Sequence, residues 1–170
     1  MLVKNKKQKS DAGRFEFVIV ASLYNSKYVN AMVQAAEIEL KKAGARRTRV
    51  IRVPGAFEIP VAAARLARMN SGTKPGHQKN ALGGIICLGL ILRGETVHAA
   101  HIGDAVTHSL MELQITHEIP VIHEVLLLEN EKQAEVRCLG RDHNRGTEAA
   151  QTAIAMAQVM AQLSATQRKD

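Results

Sequence analysis

The run "GGIICLGLIL" (83–92) constrains this chain more than any other segment. It carries no charge and no polar alternation, so a strand here must be covered on both faces. "PVIHEVLLL" (120–128) is a second near-continuous apolar run, and "FEFVIVA" (15–21) is a third, with Val18, Ile19 and Val20 in succession. "RTRVIRV" (47–53) alternates instead, which predicts a strand with one less-buried face. Helical patterns fill the gaps, at 26–44, 58–70, 95–118, 130–140 and 147–163. The first has Ser26 near its start, lysines in its last turn and Gly44 as a stop. The third ends just before Pro120, and Asn130 with Gln133 opens the fourth as a capping-box-like pair. The order βαβαβαβαα predicts an α/β fold: a three-layer α/β/α sandwich around a four-stranded parallel sheet.

A chain of 170 residues, 46% of them hydrophobic, suffices for one domain with a sizeable core. Residues 1–14 form a basic segment, with Lys4, Lys6, Lys7 and Lys9, that is expected to be mobile. Residues 15–170 are expected to form a single domain, with a polar loop at 70–84 and no internal repeat. No apolar run approaches the roughly 20 residues of a membrane span, and the N-terminus lacks the apolar core of a secretory signal. Cys87 and Cys138 sit in apolar contexts without metal or redox spacing. They read as reduced packing residues of a cytoplasmic protein. The net charge of +7 reads either as a solubility feature or as attraction to an anionic partner, nucleic acid or a phosphorylated small molecule. With only 3% aromatics and no Trp, a base-stacking nucleic-acid surface is disfavoured.

In an open parallel sheet, ligands bind beyond the carboxyl ends of the strands. Those ends are Ser22 to Asn25, Pro54 to Glu58, Leu90 to His98, and Glu129 onward. The turn "ASLYNS" after the first strand has no glycine, so the dinucleotide fingerprint is missing. There is no P-loop and no G-x-S-x-G elbow. "VPGAFEIP" (53–60) places Phe57 and Glu58 in a turn at a strand end, where a ring and an acid suit a binding site. Tyr24 either stacks on a flat ligand or covers the sheet edge.

"RGETVHAAH" (93–101) is the densest polar cluster, read as a helix start directly after a buried strand. Free N–H groups there suit an anion, Thr96 adds a hydroxyl, and His98 suits proton transfer. The competing view makes Thr96 a plain cap and His98 a surface residue. Glu95-x-x-His98 also has the spacing of a metal-binding element, but it occurs once, and no metal site is expected. His101 and His108 read as packing or surface residues. Arg137, Arg141 and Arg145, four residues apart, read either as a solvated edge or as an anion clamp.

Together "VPGAFEIP", "LRGETVH" and "NRGTEAA" resemble the three signature segments of the lumazine synthase family, in that family's order, within a similarity running from about residue 15 to 163. The resemblance implies a flavodoxin-like four-stranded domain. It implies condensation of 5-amino-6-(D-ribitylamino)uracil with 3,4-dihydroxy-2-butanone 4-phosphate to 6,7-dimethyl-8-ribityllumazine, the riboflavin precursor, with loss of phosphate. It implies no cofactor. It further implies sites between neighbouring subunits of a homopentamer, which can pack into a 60-subunit icosahedral shell, and allows riboflavin synthase as a partner. By this resemblance Tyr24 stacks on the pyrimidine, and Ala56, Phe57 and Glu58 hold the ribityl chain. Leu90, Ile91 and Leu92 present backbone to the uracil edge. Gly94, Glu95 and Thr96 take the phosphate, and His98 transfers protons. His123, Arg137 and Arg145 would serve the neighbour's site. His123 stands where the family often has Phe, Glu124 replaces Gly, and Arg145 replaces a usual Lys. A non-catalytic lumazine-binding or shell-forming protein on the same scaffold is the alternative.

Overall fold

The computed structural model describes residues 11–71, 81–140 and 143–166. The basic stretch at 4–9, most of the 70–84 loop and Arg141 lie outside the described residues. Four strands, β1 (Phe15–Ser22), β2 (Arg47–Val53), β3 (Ala81–Leu92) and β4 (Val121–Leu128), form one all-parallel sheet in the order β2-β1-β3-β4. The helices are α1 (Ser26–Lys42), α2 (Ile59–Ser71), α3 (His98–His117), α4 (Glu131–Ala134) and α5 (Arg145–Thr166). The predicted α/β/α sandwich is therefore present.

Strand alternation assigns the layers. Phe15, Phe17, Ile19 and Ala21 face α1 and α5, where they join Met32, Leu40, Ala150 and Ile154 in one core. Val18 and Val20 face the other way, into a second core with Ile59, Leu66, Val106 and Leu110 of α2 and α3. Both faces of β1 and β3 are covered, which is why their sequences run apolar without a break. β2 is an edge strand, and its alternation leaves Arg47 and Arg49 in solvent.

Helix ends depart from the sequence reading in places. Asn25, with φ 56°, precedes α1, and Gly44, with φ 78°, terminates it as expected. The Pro-Gly stretch is followed by a 3-10 turn (Ala56–Glu58), so α2 begins at Ile59. β3 begins at Ala81, inside the expected loop. α3 begins at His98, not at Glu95, and its cap residue Val97 makes no side-chain bond. Glu95 and Thr96 thus precede the helix, and Thr96 is not its cap. The expected helix at 130–140 is the single turn α4 followed by a π turn (Glu135–Leu139). Asn130 does cap it, accepting from the Gln133 N–H at 3.0 Å, while the Gln133 side chain accepts from Glu129 N–H. No helix among the described residues is long and apolar enough to cross a membrane.

Candidate functional site

The chain reverses its direction across the sheet between β1 and β3, and a cleft of about 850 Å³ opens there, beyond the strands' carboxyl ends. Each wall has a local cause. Past β1, the Leu23 N–H donates to Val53 O at 2.8 Å and the Tyr24 N–H to Pro54 O at 3.2 Å. These bonds prolong the β1–β2 ladder and hold Tyr24 against the Pro-Gly turn. The Gly55 N–H donates to Glu58 Oε2 at 2.9 Å, which pins the carboxylate to the turn it follows. A side chain at position 55 would lie 2.9 Å from that oxygen and 3.2 Å from the Tyr24 ring. Gly55 is therefore what lets the aromatic ring and the acid approach each other. Tyr24 and Phe57 remain 72% and 61% exposed, two rings without cover at the mouth of the cleft.

The third wall is the end of β3. Its pairing to β1 stops at Leu88, so Leu90 to Leu92 continue with the β1-side edge open. The Asn25 side chain crosses to this edge and donates to Leu90 O at 2.8 Å. The fourth wall is α3, which supplies His98, His101, Ile102 and Ala105. Of the residues expected from sequence, Tyr24, Ala56, Phe57, Glu58, Leu90, Ile91, Leu92 and His98 meet in this cleft. Glu95 and Thr96 lie on the exposed connection before α3 and do not line it.

His123, Arg137 and Arg145 lie elsewhere. His123 points from β4 towards α3, where Thr107 Oγ1 lies 2.9 Å from its Nε2. Its Nδ1 accepts from the Val125 N–H at 3.0 Å, so Nε2 carries the proton of the neutral ring and donates to Thr107, whose hydroxyl donates to Gly103 O. Burial lowers the His123 pKa from its ordinary value, which favours that neutral form. On the opposite face, Arg145 opens α5 and pairs with Glu148 at 2.9 Å and Glu124 at 3.9 Å. Arg137 lies exposed in the π turn. The thiols are buried, and burial pushes Cys87 up to about 12 and Cys138 to about 11, well into the inert range. Among the described residues, no three His, Cys, Asp or Glu converge as a metal site would require.

Sequence reasoning set Asn25 and Gly55 within the ligand-binding strand ends but gave neither a role, and it missed His101, Ile102 and Ala105 as cleft residues. His101, read as packing or surface, shares a helix face with His98 three residues earlier, and that spacing was the available signal.

The family model described as 6,7-dimethyl-8-ribityllumazine synthase matches residues 14–161. A protein of that name from Stenotrophomonas maltophilia is 36% identical over 149 residues, 86% of this chain and 90% of the relative. One from Xanthomonas campestris is 38% identical over 146 residues, 85% and 88% of the two chains. One from Xanthomonas oryzae is 37% identical over the same length. The chain belongs to the 6,7-dimethyl-8-ribityllumazine synthase family. Membership places it among transferases of riboflavin biosynthesis, and the cleft is this family member's candidate active site.

Proposed function

We propose that the chain condenses 5-amino-6-(D-ribitylamino)uracil with 3,4-dihydroxy-2-butanone 4-phosphate to give 6,7-dimethyl-8-ribityllumazine. The aromatic amine attacks the ketone, water leaves to form an imine, phosphate is eliminated, and the ribitylamino nitrogen closes the ring with loss of a second water. The observation that carries this reading is the wall formed by Tyr24, Phe57 and the pinned Glu58 beside the open edge of β3. A planar pyrimidine stacks on Tyr24 and meets the backbone of Leu90 to Leu92. The ribityl hydroxyls meet Glu58 in the turn that also holds Ala56 and Phe57. Backbone N–H groups of Gly94, Glu95 and Thr96, with the Thr96 hydroxyl, on the connection between β3 and α3, take the phosphate end. His98, at the first turn of α3, moves the protons of dehydration and elimination.

Arg137, Arg145 and His123 serve the site of a neighbouring copy in a pentameric ring, which can assemble further into a 60-subunit shell and can receive riboflavin synthase. Two tests bear on this. Purified protein with both substrates should develop lumazine absorbance and release one phosphate per lumazine; substrate binding without either signal refutes the enzyme. Glu58→Ala and Arg137→Ala chains, each nearly inactive when the butanone phosphate is held well below the Arg137→Ala KM, should regain partial activity when refolded together, because some interfaces then combine two intact halves. No rescue in well-mixed particles, or a fully active monomer, refutes the shared site.

A second reading is a lumazine-binding or shell-forming protein without turnover. One observation favours it: Arg145 is ion-paired and His123 hydrogen-bonded within their own chain. Product binding with no turnover would select it.

A further inference from the structure

Glu124 is a carboxylate in the middle of β4, between the apolar Ile122 and Leu126 on the face that packs against the α1 and α5 layer. Its side chain is 17% exposed, and the Arg145 guanidinium, 23% exposed, lies 3.9 Å away. The charged and titratable groups facing it are Arg145 and Glu148 from α5 and Arg137 and Cys138 from the π turn. Two cations from two elements therefore act on one half-buried acid. A buried carboxylate without such company would be strongly disfavoured.

We propose that Glu124 is a positioning residue, a built-in counter-ion that holds Arg145 and offsets the positive charge which Arg137 and Arg145 offer to an anion. This rests on the reading of those two arginines as anion ligands for a phosphate monoester. An ionised Glu124 competes with the incoming anion for the guanidinium charge. A protonated Glu124 leaves Arg145 balanced by Glu148 alone. Burial drives the Glu124 pKa up to about 7, with Arg145 opposing that rise, so the competition changes across the neutral range. Anion affinity should accordingly fall as pH rises through that range.

Inorganic sulfate is the probe, because its charge is constant between about pH 6 and about pH 8.5, unlike that of phosphate. Calorimetric titration of the assembled full-length protein should show sulfate weakening by roughly three- to tenfold over that interval. Glu124→Gln keeps the shape and removes the charge. It should bind sulfate at the tighter value throughout, with a flat pH profile. Glu148→Gln, at a more exposed position, should tighten sulfate at both ends and retain the profile. Arg137→Ala should weaken sulfate at every pH. The proposal fails if Glu124→Gln keeps the wild-type profile, if Glu148→Gln alone flattens it, or if Arg137→Ala leaves sulfate binding intact. Turnover is measured separately, so an inactive protein with the expected sulfate profile would refute the synthase reading and leave the counter-ion standing.

Discussion

Gly146 offers a sharp test of how the second half of the fold is built. It sits in the first turn of α5, where its N–H donates to Asn144 Oδ1 at 2.8 Å and its Cα faces the backbone of α1. A Cβ at this position would lie 1.9 Å from Met32 O, 2.5 Å from Met32 C and 2.7 Å from Met32 Cα. These are backbone atoms, so no rotamer change relieves the overlap. Reaching an ordinary separation near 3.5 Å would move α5 from α1 by about 1.5 Å. That movement opens the core where Met32, Val33, Ala36 and Leu40 meet Ala149, Ala150, Ala153 and Ile154. Forcing extra volume into a packed core costs about 1–3 kcal/mol, and a clash with main chain belongs at or above the top of that range. Replacing Gly by Ala in a helix returns up to about 1 kcal/mol, so the two effects oppose and the clash wins by about 2 kcal/mol or more. For a chain of this size that is a fall in Tm of about 4–8 °C. Differential scanning calorimetry at fixed protein concentration, on Gly146→Ala beside the wild type, measures it. A Tm within about 2 °C of the wild type, or above it, would show that α1 and α5 do not pack as closely as described.

His98→Ala should lower kcat by about 10- to 100-fold, the low end for a positioned acid–base group, with a smaller effect on KM; steady-state kinetics with unchanged kcat would remove His98 from the mechanism. Arg137→Ala should raise KM for the butanone phosphate by about 10- to 100-fold and leave KM for the ribitylaminouracil nearly unchanged, as loss of one charge-assisted hydrogen bond requires; equal weakening of both would assign a structural role. Glu124 is raised from 4.5 to about 7 in the folded chain, so the folded state holds a proton that the unfolded state has released between those values. Its contribution to stability is therefore present below about pH 4.5 and lost as pH rises through about 7. Glu124→Gln should match the wild type near pH 5 and exceed it in Tm near pH 8, and equal Tm curves would contradict this.

The doubly covered strands were readable because burial on both faces leaves an uninterrupted apolar run, as in Val18 to Val20 and Ile85 to Leu88. The site's aromatic and acidic side chains were readable because Tyr24, Phe57 and Glu58 fall at strand ends, where parallel sheets bind ligands. The start of α3 was not. Thr96 looks like a cap, but Val97 holds the cap position without any side-chain bond, so nothing local marks the boundary. The π turn after α4 was hidden for a related reason. Its residues EVRCL carry an ordinary helical pattern, and the Asn144 side chain, which donates to Cys138 O and accepts from Gly146 N–H, is supplied by the next segment. The strand end at Asn25 was legible but its role was not, because that role is a bond to a residue 65 positions away.

Charge supplies the strongest physical argument for a site shared between copies. Among the described residues that line the cleft there is no lysine or arginine, only Glu58, two imidazoles, an amide and apolar or aromatic groups. Arg93, at the end of β3, is held by Glu129 at 3.2 Å. A phosphorylated substrate bound at this cleft would bring a dianion to a site whose own lining offers a carboxylate and no guanidinium, an arrangement that costs free energy where the site is partly desolvated. The chain nevertheless carries guanidiniums on its opposite layer, at Arg137 in the π turn and Arg145 at the start of α5. Guanidiniums on one face and a cation-poor cleft on the other can meet only between different copies. Two unlike surfaces of one chain meeting head to tail build a ring where the rotation closes and a filament where it does not, rather than a two-fold dimer. The proposed pentamer is thus the arrangement in which each cleft acquires the positive charge that its own chain withholds.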